Sequence, residues 1–357
     1  AASASATTSL WKNEAPPVSP AGRVVIDAVE SRVLAGNPLG DPHVRQIPVY
    51  LPPGYDDGKR AYPAIYWLHG FTGIGLSAIN PNPWIPSLPV CMDRAIAAGA
   101  PPAILVMVDG FTRYGGSQYL NSTANGRYED FVVSEIVAHI DRAYRTIAAP
   151  AGRGINGKSS GGYGALVLAM RHPDVFGAAA SHSGDMYFEA CYKPDFWKFC
   201  NTVAKHGGVE AFLRAFLDMP KKTTEALTAI NIAAMGMAYS PNPDRRPLGF
   251  DLPFDVHTGE LDDAVWARWL AWDPVHMAAR HADALRALRL LYFECGSRDQ
   301  FYLHLGARLL HRRLEAMGIR HEYQEFDDDH TGINYRYVES LRRLCEMLAG
   351  AGGRGGG

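Results

Sequence analysis

Gly152 to Gly164 reads GRGINGKSSGGYG, and the fold turns on how this stretch is understood. Two patterns overlap in it. Gly152-x4-Gly157-Lys158-Ser159 fits G-x-x-x-x-G-K-[ST], the P-loop whose backbone N–H groups cradle phosphates. Gly157-Lys158-Ser159-Ser160-Gly161 fits G-x-S-x-G, a serine on a tight strand-to-helix turn with its hydroxyl exposed. A glycine-rich turn without chemical role is the plainer third reading. A phosphate loop normally follows a strongly apolar strand, whereas AAPAGR with Pro150 precedes this one. It also needs an aspartate for magnesium at the end of a later strand, and Asp109 comes earlier in the chain. The serine turn asks only for a short strand and small residues where strand and helix nearly touch. Gly157, Gly161, Gly162 and Gly164 supply them. Ser159 would then open the following helix, whose N-terminus favours developing negative charge.

Outward from this turn, short apolar runs alternate with helical patterns. Val44 to Leu51, Ala64 to Leu68 and Ala103 to Val108 read as strands. Tyr128 to Tyr144 places apolar residues at 131, 132, 136, 137 and 140, the spacing of an amphipathic helix. A short strand at Gly154 to Asn156 leads into a helix over Tyr163 to Arg171, ended by Pro173. Strands follow at Phe176 to Ala180, Leu288 to Phe293 and His321 to Phe326, with helices at His304 to Met317 and Asn334 to Leu348. Such alternation predicts an α/β domain, a mostly parallel central sheet flanked by helices. From about 187 to 279 only helical pieces appear, a lid-like helical insertion. The domain is expected over 23–349, between a flexible segment at 1–22 and a disordered Gly-rich tail at 350–357.

A serine nucleophile needs a base to take its proton and an acid to orient that base, in the chain order Ser, acid, His. Asp299 stands in the loop after LRLLYF, within ECGSRD, and His330 in the loop after HEYQEF, within DDDHTG. In parallel α/β sheets that edge is where active sites form. Asp185, after FGAAASHSG, is the rival acid; Asp327, Asp328 and Asp329 are too close in sequence to the base to reach round to it. His69, His182, His276 and His304 are read as structural. The oxyanion hole needs two backbone N–H groups. Ser160 offers one; the loop HGFTG offers the other at Phe71, with Thr72 as substitute.

WLHGFTG, GKSSGGYGAL, ECGSRDQF and DDDHTG, in this order and spacing, resemble the putative-esterase branch of the α/β-hydrolase superfamily. That branch includes feruloyl and acetyl-xylan esterases, S-formylglutathione hydrolases, enterochelin esterases and mycolyl transferases. The resemblance runs from about Val44 to Leu348, the insertion apart, and implies an α/β-hydrolase fold. It departs from the family at two positions: elbows there usually carry His or Leu before the serine and often Met after it, where this chain has Lys158 and Ser160. The expected activity is that of a serine carboxylic-ester hydrolase working through an acyl-enzyme, on a small or aromatic acyl ester. Its rivals are an acyltransferase sharing that acyl-enzyme and the nucleotide-binding reading of GRGINGKS.

Composition narrows the partners. With 35 Lys+Arg against 37 Asp+Glu the net charge is −2, which gives no drive toward nucleic acid or anionic membranes. The longest apolar runs fall far short of a membrane span. Five cysteines form no C-x-x-C pair, and neither metal nor cofactor is called for. Cys191 and Cys200 are near enough in sequence to bridge. The aromatics Tyr187, Phe188, Tyr192, Phe196, Trp197, Trp266, Trp269 and Trp272 gather in the insertion, where helical spacing favours core over pocket. The partner is a small-molecule ester; nothing in the sequence specifies a homo-oligomer. A cytoplasmic location is expected, with a processed secreted form as the alternative.

Overall fold

The computed structural model describes residues 20–350. The flexible segment expected over 1–22 lies, up to residue 19, outside the described residues, and so does the expected tail from residue 351. Eight strands build the central sheet: β1 (Arg23–Glu30), β2 (Val44–Leu51), β3 (Ala64–Leu68), β4 (Ile104–Val108), β5 (Arg153–Lys158), β6 (Ala178–His182), β7 (Leu290–Gly296) and β8 (Glu322–Phe326). Their spatial order is β1-β2-β4-β3-β5-β6-β7-β8. Only β2 runs against its neighbours; from β4 to β8 every pairing is parallel.

Three helices matter most for the site. The first, α1 (Ser160–Arg171), follows β5 directly. The second, α2 (Thr224–Tyr239), belongs to the helical segment between β6 and β7. The third, α3 (Tyr337–Ala349), closes the other face of the sheet. AIYWL of β3 is apolar throughout because both faces are covered. Ala64, Tyr66 and Leu68 point into the larger core, Ile65 and Trp67 into the core shared with Tyr337, Leu341, Leu344 and Leu348 of α3.

Several elements differ from the sequence reading. No strand is predicted before Val44, yet RVVIDAVE forms β1, paired with β2 from Arg23↔Leu51 to Glu30↔Val44. It is an edge strand with most residues at least partly exposed, so Asp27 and Glu30 interrupt the apolar alternation that would have marked it. Sheet strand β6 runs two residues later than Phe176 to Ala180, which carries His182 into the sheet. The helix expected over 128–144 contains a π-helical stretch at Phe131–Ile136.

The phosphate-loop reading is corrected by the sheet. Residues 153–157 are laddered to β3 on one side and 154–158 to β6 on the other, so their backbone groups are committed to the sheet and cannot wrap a phosphate. All five cysteines are free thiols, Cys191 and Cys200 included.

Candidate active site

Ser159 sits between β5 and α1 with φ 58° and ψ −126°, a conformation that costs a non-glycine residue energy. The turn is forced by proximity. A Cβ on Gly161 would collide with the Leu68 carbonyl, and one on Gly157 with the Gly161 backbone. The Ser159 N–H is tied to the His182 carbonyl at 2.9 Å, and the Tyr163 N–H donates to the Ser159 carbonyl at 2.8 Å. The side chain is thereby held out at the C-terminal edge of the sheet.

Asp299 and His330 come from two neighbouring strand-exit loops, after β7 and β8. His330 Nδ1 lies 2.7 Å from Asp299 Oδ2, while Asp299 Oδ1 accepts the Phe301 N–H at 2.9 Å. Burial alone would raise the Asp299 carboxyl. The hydrogen bond and charge of His330, with the Phe301 N–H, outweigh it and hold the group below the usual carboxylate range. With Nδ1 engaged, Nε2 is the nitrogen left free to take a proton. The loop is pinned by Gln300, whose Oε1 accepts the His330 N–H at 3.0 Å, and Phe301 packs edge-on against the imidazole. Nothing in the sequence marks Gln300, one polar residue beside Asp299.

The rival acid takes a different place. Asp185 makes no hydrogen bond to His330; its Oδ1 lies 3.5 Å from Ser159 Oγ, and Oδ2 accepts Ser160 Oγ at 3.0 Å, Tyr192 OH at 2.8 Å and Gln118 Nε2 at 3.2 Å. Burial pushes its carboxyl up, against those hydrogen bonds and the His330 charge. The Ser159 hydroxyl is thus in long contact with Asp185 and not hydrogen-bonded to His330. Such contacts commonly tighten only when substrate binds.

Along the HGFTG loop the two candidate donors separate. The Thr72 N–H is spent on the Gly115 carbonyl at 2.7 Å, whereas the Phe71 N–H meets no acceptor among the described residues. The Phe71 ring lies against Gly115, where a Cβ would clash with it. His69 braces the loop from behind: its Nε2 accepts the Gly110 N–H at 3.0 Å, and its carbonyl accepts Tyr119 OH at 2.7 Å.

These groups open into a cavity of about 400 Å³ lined by Phe71, Ser159, Asp185 and His330. From the insertion, α2 contributes Thr224, Leu227, Thr228 and Asn231. These are positions i, i+3, i+4 and i+7 of one helix face, a periodic signal present in TEALTAIN that carries no meaning until the helix is placed over the site. Of the aromatics clustered in the insertion, Tyr192 reaches the cavity; Phe188, Phe196, Trp266 and Trp269 are core. Lys158 lines the same cavity, and burial lowers its ammonium pKa, opposed by the charges of Asp299, Asp185 and Asp329.

Among the described residues, Glu189, Asp273 and His276 bring three ligand atoms within 4.8 Å. None lines this cavity. Both Asp273 oxygens already accept backbone N–H groups of Tyr187, Phe188 and Val275 at 2.8–3.0 Å. No helix among the described residues is long and apolar enough to cross a membrane.

Sheet order and elbow together define an α/β-hydrolase. The family described as Putative esterase matches residues 42–341, and the chain belongs to that family. An esterase of Mycobacterium tuberculosis is 31% identical over 148 residues, 39% of this chain and 28% of that one. An endo-1,4-beta-xylanase/feruloyl esterase of Xylanibacter ruminicola is 30% identical over 205 residues, 53% of this chain and 25% of that one. The chain thus spans about a quarter of the length of these curated relatives. Among solved structures, a ferulic acid esterase covers 92% of this chain and 98% of its own, with TM-score 0.57 and 19% identity. An S-formylglutathione hydrolase of Staphylococcus aureus gives TM-score 0.56 at 14% identity, over 92% and 99% of the two chains.

Proposed function

We propose that the protein is a serine carboxylic-ester hydrolase with Ser159 as nucleophile, His330 as base, Asp299 as the acid and the Phe71 and Ser160 N–H groups as oxyanion hole. One observation carries the reading: His330, paired with Asp299 at 2.7 Å, opens onto the same cavity as a serine held at positive φ on a strand-to-helix turn. Ser159 Oγ attacks the ester carbonyl while its proton passes to His330 Nε2. The carbonyl oxygen takes on negative charge and is met by the two N–H groups. The alcohol leaves with the proton from His330, and the acyl group stays on Ser159. Water then gives a proton to His330, its oxygen attacks the acyl carbon, and the acid is released as Ser159 recovers its proton. Asp299 keeps the imidazole in the right tautomer and stabilises the imidazolium at each attack.

A cavity of about 400 Å³ with Phe71, Tyr192, Leu227, Phe301 and Leu303 on its walls suits a small or aromatic acyl group. The feruloyl esterase named among the relatives supports the aromatic choice. A hydrolysis panel of short 4-nitrophenyl esters, methyl ferulate, S-formylglutathione and polyester oligomers tests this, with product analysis in added alcohol to reveal acyl transfer. Absence of Ser159-dependent hydrolysis across the panel would refute the reading.

A further inference from the structure

Three other basic side chains buried or partly buried at the sheet have protein partners. Arg153, at the opposite end of β5 from Lys158, pairs with Asp141; Arg336 forks onto Glu294; Arg45 donates to the Phe111 carbonyl and the Tyr128 hydroxyl. Lys158 is partly buried, yet among the described residues its ammonium has neither an ion pair nor a hydrogen bond. The acids whose charge reaches it are committed elsewhere. Asp299 is bound by His330, Asp329 by the N–H and hydroxyl of Thr331, and Asp185 by Ser160, Tyr192 and Gln118. An ammonium that faces a cavity with no protein partner is open to pairing with a ligand anion.

Its location says which ligand. Lys158 lines the cavity of the nucleophile and also a second one, of about 290 Å³, on the far side of the HGFTG loop. Gly70, Phe71 and Thr72 are common to both, so the two cavities adjoin along the loop that carries the Phe71 N–H. The second cavity is walled by Trp67, Ser77, Leu88, Asn334 and Tyr337, and no other lysine or arginine lines either space.

We propose that Lys158 is an anion anchor, and that the preferred substrates are esters carrying a carboxylate that pairs with it where the two cavities meet. This rests on the ester-hydrolase reading and adds the charge of the substrate to it. Lys158 acts here as a specificity-determining residue, next in sequence to the nucleophile but outside the proton transfers.

The test compares two pairs of esters matched in shape and differing in charge. One pair places the carboxylate on the acyl side: the 4-nitrophenyl monoester of adipic acid against 4-nitrophenyl hexanoate. The other places it on the alcohol side: 4-acetoxybenzoate against its methyl ester. The wild type is expected to favour the anionic member of at least one pair by about tenfold or more in kcat/KM, as a charge-assisted contact does. Lys158→Met should collapse that ratio mainly through KM, and Lys158→Arg should keep most of it. Calorimetric binding of the anionic ester to Ser159→Ala, lost in Ser159→Ala/Lys158→Met, gives a readout that needs no turnover. Equal use of charged and neutral esters, or a Lys158→Met loss that strikes both members alike, overturns the anchor. If the wild type hydrolyses none of the four, the ester-hydrolase reading is decided by the wider panel, and the calorimetric comparison still decides the anchor.

Discussion

Two Ser–His–carboxylate arrays lie among the described residues, and the better formed of them is not the one proposed as catalytic. Under the sheet edge, Ser340 Oγ on α3 is 2.7 Å from His182 Nε2 on β6, and His182 Nδ1 is 2.8 Å from Glu294 Oε1 on β7. At the C-terminal edge, His330 and Asp299 are joined at 2.7 Å, but Ser159 Oγ leans toward Asp185. Hydrogen-bond geometry alone would choose Ser340. Ser340 and the His182 and Glu294 side chains are 0% exposed, and none of the three lines either cavity at the elbow. Ser340 also lies within a regular helix, without the strained turn that presents Ser159. The buried array has a structural task. It fastens α3 to the sheet through Ser340 and Asn156 and seats Arg336 on Glu294 at 3.0–3.1 Å. A catalyst of this kind needs access, a strained turn and free N–H donors as much as it needs a relay.

The largest contrast is between the two serines. Ser159→Ala should cut ester hydrolysis by about 10⁴-fold or more, while Ser340→Ala leaves kcat within about threefold. A fluorophosphonate should label Ser159; mass-spectrometric labelling at Ser160, Ser297 or Ser340 would break the distinction. Next comes the choice of acid. Asp299→Asn preserves shape but removes the charge facing the imidazole, and kcat should fall by about 10⁴ if it follows the worked serine-protease triad. Asp185→Asn keeps hydrogen bonding to Ser160 and Tyr192 and should cost about tenfold at most, some 1.4 kcal/mol in barrier. The reverse ranking, at matched circular dichroism, would move the acid to Asp185.

The remaining contrasts are read in stability. Burial raises the Glu294 carboxyl, but the charge and hydrogen bond of His182, with Arg336, hold it at about 2 against an ordinary 4.5. A folded-state value below the unfolded one means that this stabilisation is fully present above about pH 4.5 and fades as pH falls toward 2. The amount is on the order of 3 kcal/mol. Urea unfolding from pH 7 down to 3 should show that acid limb, and Glu294→Gln should flatten it while lowering stability at pH 7 by about 3 kcal/mol. An unchanged acid limb in Glu294→Gln would assign the acid sensitivity to other carboxylates. Smallest is Ser340→Ala, which strips one partner from His182 and Asn156 and should lower stability by about 1–2 kcal/mol in the same measurement.

What could be read in the chain, and what could not, divides by the range of the interaction. Apolar runs, helical spacing and the glycines of GKSSGGYG are local signals, because side-chain period and close strand–helix contact act over a few residues. They carried the α/β class, the elbow at Ser159 and the strand-exit positions of Asp299 and His330. Even locally the signal failed at RVVIDAVE, where an edge strand open to solvent needs no clean alternation, and at the overlap of two glycine patterns around Lys158. The pairing of β5 on both sides within the sheet resolves that overlap.

Whatever depends on through-space pairing waited for the tertiary structure. Asp185 and Asp299 both follow sheet strands, and nothing in either segment says which carboxylate touches His330 and which touches Ser159. Phe71 and Thr72 differ as donors only because Gly115, more than forty residues on, takes one of the two N–H groups. The face of α2 over the cavity, the isolation of Lys158 and the joining of Ser340 to His182 and Glu294 are of the same kind. Local sequence is enough to say which short segments could be strand, helix or nucleophile turn, since those choices are made by neighbours along the chain. The fold alone decided which charges and donors are paired and which are left free for a substrate, since pairing is settled by distances of about 3 Å between residues that the sequence holds far apart.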